Sequence, residues 1–150
     1  MNNNFEIIKN ILKEKGELVG VTSGNSMYPL FRDQKDRAVI VPLPPKLKIN
    51  DVILYRKANT NEVILHRIVK FKNSKPIFRG DNLYHNETQI PKDDILGIMK
   101  GFFRNGKYYE CEKSFSYKLY VSFMRISYPI KFLFKKAFSL LGRIIDIIKN

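Results

Sequence analysis

The chain has 150 residues, of which 27 are basic and 14 acidic, giving a formal net charge of +13 that favours an anionic surface or partner. That length suits a single domain with its own core rather than two. One cysteine, Cys111, and two histidines exclude an internal disulfide and leave few ligands for a structural zinc site, so no metal site is expected, and nothing resembles a Walker loop or dinucleotide fingerprint that would point to a cofactor.

At the N-terminus, Phe5, Ile7, Ile8, Ile11 and Leu12 recur at helical spacing ahead of Gly16, which predicts a short amphipathic helix over residues 1–16. It is too short and too charged for a transmembrane anchor, and it lacks the basic start and cleavage region of a secretory signal. From residue 17 to 112, short β-type runs alternate with turns such as Pro42-Leu43-Pro44-Pro45 and Asn73-Ser74-Lys75-Pro76, predicting a mainly β domain. Residues 113–150 differ in character. Large apolar residues such as Leu119, Phe123, Phe132 and Ile144 are interleaved with Lys118, Arg125, Lys131, Lys135, Lys136, Arg143 and Lys149. The basic residues interrupt every apolar stretch before it reaches spanning length. The pattern predicts a pair of basic amphipathic helices, broken near Pro129, lying on an anionic membrane surface. Packing on the β domain or on another subunit is the alternative. Nucleic acid is not an expected partner, because no reading motif accompanies the basic residues.

Three short segments carry chemistry: Gly24-Asn25-Ser26-Met27-Tyr28-Pro29, Leu65-His66-Arg67-Ile68-Val69 and Arg79-Gly80-Asp81-Asn82. A serine hydroxyl is a weak nucleophile until a base takes its proton, and the base needs a third group to hold its tautomer. Ser26, His66 and Asp81 can fill these roles. Ser26 follows a strand-like run and sits in a turn between Gly24 and Pro29. Strand alternation turns His66 and Ile68 to one face, and Gly80-Asp81-Asn82 reads as a turn at a strand end. His85, in a polar stretch, reads as a solvated loop residue, and Met27 as a side chain packed beneath the Ser26 turn.

Taken together, these boxes resemble the type I signal peptidase and LexA-like superfamily of serine peptidases. Leu65-His66-Arg67-Ile68 resembles the histidine-base branch found in the endoplasmic reticulum and archaea. Asp36-Arg37-Ala38-Val39-Ile40-Val41, Asp51-Val52-Ile53-Leu54-Tyr55 and Ile95-Leu96-Gly97-Ile98-Met99 resemble strands that the family places between and after the boxes. The similarity runs from Leu18 to near Phe103. Where the family has Gly-Asp, this chain has Asn50-Asp51, and asparagine tolerates the left-handed turn. Where eukaryotic members carry paired aspartates, it reads His85-Asn86-Glu87, so Glu87 stands as reserve to Asp81 for the acid.

The resemblance implies an α+β, mainly β fold of the LexA/signal-peptidase type, flanked by the N-terminal helix and the C-terminal basic helices. It implies a serine endopeptidase that cleaves an extended leader or signal-type peptide through an acyl-enzyme, without cofactor. Gly24, Asn25, Met27 and Pro29 would frame the substrate and the oxyanion, the latter held mainly by backbone amides near Ser26. A LexA-type self-cleaving regulator, or a catalytically silent membrane-associated scaffold of the same fold, is the alternative. The lack of an N-terminal anchor leads to the expectation of a peripheral protein on the cytoplasmic face of a membrane.

Overall fold

The computed structural model describes residues 4–58, 60–130 and 133, in two units, residues 1–114 and residues 115–150. Helix α1, Asn4–Lys15, buries Phe5 and Leu12 and exposes Ile7, so the inward stripe is narrower than the apolar pattern suggests. Glu6 in its first turn and Lys13 and Lys15 in its last complement the helix dipole. Gly16, at φ +69°, ends it by donating its amide to the Leu12 carbonyl at 3.1 Å.

Seven strands follow: β1 Leu18–Val21, β2 Arg37–Val41, β3 Val52–Arg56, β4 Val63–Lys72, β5 Lys75–Arg79, β6 Ile95–Arg104 and β7 Lys107–Glu110. They form one antiparallel sheet in the order β1-β2-β6-β3-β4-β5. Strand β7 folds back on the second half of β6, through Asn105 and Gly106 at φ +51° and +76°. A mainly β domain is thus what the sequence forms. Asn50 takes the left-handed conformation expected of it, φ +79°.

Burial follows from the two-residue strand period. Ile53, Tyr55, Ile68 and Phe78 are fully buried and form the heart of the core, with Ile64, Ile95 and Ile98 packed against them. Because Ile53 pairs with His66 and Tyr55 with Ile64 across β3 and β4, Tyr55 and His66 share this inner face as diagonal neighbours.

Residues 115–130 are helical and are called α2 here. The helix runs through Pro129, where the sequence pattern led us to expect a break. Apart from Leu133, the expected second helix falls outside the described residues. No described helix is long and apolar enough to cross a membrane.

Candidate active site

Ser26 lies in the β1–β2 connection, in a turn closed by the Tyr28 amide on the Asn25 carbonyl and the Phe31 amide on the Met27 carbonyl. Gly24 opens it at φ +83°, its amide bonded to Asp33 Oδ1 at 2.8 Å. This turn is stapled to the one after β5. The Asn82 amide donates to the Ser26 carbonyl at 2.8 Å, Asn82 Nδ2 donates to the Asn25 carbonyl at 3.1 Å, and the Asp81 amide points at Met27 Sδ at 3.4 Å. Gly80 makes the approach possible, since a Cβ there would stand 2.5 Å from the Ser26 carbonyl oxygen. The first and third motifs are therefore adjacent in space, though 54 residues separate Met27 from Asp81.

A second clamp holds the far side of the Ser26 turn. Asp36 is fully buried and takes hydrogen bonds from Arg32 and Arg104, while Arg104 also donates to the Pro29 and Leu30 carbonyls at 3.2 and 2.6 Å. Burial alone would raise the Asp36 pKa, but the bonds from Arg32 and Arg104 overcome it and lower the value to about 2.

His66 is buried on β4, with Nδ1 facing two oxygens: Tyr55 Oη at 3.1 Å and Glu87 Oε1 at 3.3 Å. Tyr55 in turn donates its hydroxyl to Glu87 Oε2 at 2.8 Å. Burial, and after it the Glu87 carboxylate, hold the phenol far above its usual pKa, so it stays protonated. With that proton committed to Glu87, the Tyr55 oxygen and Glu87 Oε1 both act as acceptors, which puts a proton on His66 Nδ1 and leaves Nε2 as the basic nitrogen. Nε2 makes no hydrogen bond among the described residues, and His66, 3% exposed, does not line the cleft beside Ser26. Burial lowers the His66 pKa below its ordinary value, against the opposing pull of Glu87 and Asp81. The imidazole is neutral at neutral pH.

Asp81, assigned by sequence to orient the imidazole, gives both carboxylate oxygens to Arg67 at 2.7 Å. The pair is buried, and Arg67 also reaches the Asn50 carbonyl at 2.8 Å. Glu87, the reserve, lies on His66 instead, and the physical reason is local. Phe78 and Glu87 form an antiparallel bridge, with amide-to-carbonyl distances of 2.9 and 2.8 Å, which returns the chain against β5 and delivers the Glu87 side chain to the inner face. Tyr55 went unrecognised in the sequence, although its two-residue offset from Ile53 places it on the face that His66 occupies.

A cleft of about 270 Å³ opens beside the Ser26 turn, lined by Gly24, Ser26 and Met27, by Leu18, Gly20 and Val21 of β1, and by Val63, Ile64 and Leu65 of β4. Asn25 and Pro29, expected to frame substrate, do not line this cleft; their carbonyls accept hydrogen bonds from Asn82 and Arg104. Ser26 Oγ makes no hydrogen bond among the described residues, so Ser26 and His66 are not in hydrogen-bond contact here. Among those residues no cluster of three or more His, Cys, Asp or Glu side chains could hold a metal ion. No protein-family model matches this chain, and no curated protein matches it in sequence.

Proposed function

We propose that this protein is a signal-peptidase-like serine endopeptidase, with Ser26 as nucleophile, His66 as general base and Glu87 as the orienting acid. One observation carries the reading: a buried, neutral imidazole whose Nδ1 is held by a carboxylate and a phenol while Nε2 makes no hydrogen bond among the described residues. That is the tautomer a serine needs from its base. Nε2 accepts the Ser26 proton as Oγ bonds to the scissile carbonyl carbon, backbone amides of the Ser26 turn stabilise the oxyanion, and Nε2 returns the proton to the leaving amine. Water then hydrolyses the acyl-enzyme by the same route in reverse. The Ser26–His66 hydrogen bond forms when substrate closes the cleft, as catalytic contacts often tighten only in the complex.

The substrate in this reading is an extended leader-type peptide. Among the described strands β1 pairs with β2 alone, and its residues line the cleft, so a peptide strand can add along its other edge with side chains entering the apolar recess. The test is labelling with a fluorophosphonate probe, followed by peptide mapping. The label is expected on Ser26, absent in Ser26→Ala and strongly reduced in His66→Ala. A folded protein that takes no label at Ser26 would overturn the mechanism.

A further inference from the structure

A soluble amphipathic helix turns its apolar stripe inward. Helix α2 buries Met124 on one side and leaves a second apolar stripe exposed. Phe115, Leu119, Phe123, Ile126, Ile130 and Leu133 recur at steps of three and four, which gathers them on one side of the helix, and all six are exposed, from 50% at Ile130 to 78% at Phe115. Tyr117, Val121 and Tyr128, on the other side, are half-buried. Lys118 and Arg125, one turn-pair apart, stand exposed along one shoulder of the apolar stripe. Acidic residues are missing from the sequence between Glu112 and Asp146, while the chain as a whole carries +13.

From this face we infer a docking surface for an anionic lipid bilayer: α2 lies in the headgroup region, its six apolar side chains entering the acyl boundary and its basic shoulder meeting lipid phosphates. Charge decides between the possible occupants. A second copy would bring a basic shoulder against a basic shoulder, with no carboxylate on either helix to neutralise it. An anionic surface satisfies both the apolar stripe and the cations. The inference does not depend on the peptidase reading.

The test is co-sedimentation of the full chain with vesicles of phosphatidylcholine alone or with phosphatidylserine added, at ~0.05 M and ~0.5 M salt. Binding is expected to the anionic vesicles at low salt and to weaken at least ~tenfold at high salt or without phosphatidylserine. The double variant Phe123→Glu/Ile126→Glu should lose binding to both vesicles, and Lys118→Glu/Arg125→Glu should lose the preference for anionic lipid. These positions are exposed, and unchanged circular dichroism would show that each variant keeps its fold. A chain that stays in the supernatant, or that binds both vesicles equally whatever the salt, overturns the proposal. So does a concentration-dependent dimer that Phe123→Glu/Ile126→Glu disperses in the absence of lipid, which would assign the face to a second copy.

Discussion

Tyr55 and Glu87 are joined by a hydroxyl-to-carboxylate hydrogen bond of 2.8 Å, and the same two side chains share the Nδ1 nitrogen of His66. The carboxylate is thereby aimed by a rigid core phenol, itself packed 4.7 Å from the Phe78 ring. The proposed base is supported from the interior of the sheet.

Tyr55→Phe keeps that packing and removes only the hydroxyl. We predict a loss of about tenfold in kcat with little change in KM, because the phenol touches neither nucleophile nor substrate. Glu87→Gln should cost more, on the order of 10²-fold. Steady-state kinetics on a cleaved peptide decide the order, and Tyr55→Phe falling below Glu87→Gln would contradict it.

The pH profile separates the two carboxylates. With the His66 pKa lowered by burial, the acid limb of kcat/KM should lie below the ordinary imidazole value of about 6.5. Removing the Glu87 charge removes the larger of the two upward pulls on His66, so Glu87→Gln should move the limb further down than Asp81→Asn does. A limb moved more by Asp81→Asn would restore Asp81 to the orienting role.

Asp81→Asn has a different signature, in stability. It leaves the buried Arg67 guanidinium without its bidentate partner, a loss on the order of 3–5 kcal/mol. Urea unfolding should show this loss, while Glu87→Gln, in a half-buried position, should unfold nearer to the parent.

Gly80→Ala should act on the Ser26 turn at a distance. The added Cβ would meet the Ser26 carbonyl at 2.5 Å and the Leu83 side chain at 3.0 Å, so the two stapled turns must separate. Labelling of Ser26 should fall at least ~10²-fold, as displacements of about 1 Å do in positioned sites. Normal labelling in a folded Gly80→Ala protein would show that the staple does not position the hydroxyl.

Acid should destabilise the fold in two windows. His66 has a folded pKa below its unfolded value, so its contribution is lost as pH falls below about 6.5, when the unfolded chain takes up a proton that the folded one resists. Asp36 has its folded pKa lowered from 3.8 to about 2, so its contribution, about 2 kcal/mol, is present above pH 4 and lost as pH falls towards 2. Urea midpoints measured against pH should show both steps, and Asp36→Asn should lack the second.

The strands were legible because period-two runs and turn residues such as Asn73-Ser74 mark them without reference to distant sequence. The Asn105-Gly106 hairpin, not singled out in the sequence, carries the same kind of local signal. The acid was not legible in the same way. Asp81 and Glu87 are six residues apart on one connection, and which of them reaches His66 depends on the Phe78–Glu87 bridge, a tertiary contact with no local signature. Tyr55 needed the β3–β4 register, which apolar alternation alone does not fix. Pro129 misled for the opposite reason: proline is a helix breaker on average, yet the helix continues through it.

The strand order sets a schedule for synthesis. The β1–β2 pair carries the Ser26 turn, β3–β4–β5 carries His66, and only β6, made after both, lies between β2 and β3 and joins them. A nascent chain ending before Ile95 holds every proposed catalytic side chain, but its two pieces of sheet are linked through the Ser26 and Asn82 turns and by no strand pairing. Strand pairing between the Ser26 half and the His66 half waits for Ile95–Arg104, a long-range closure that follows the synthesis of both.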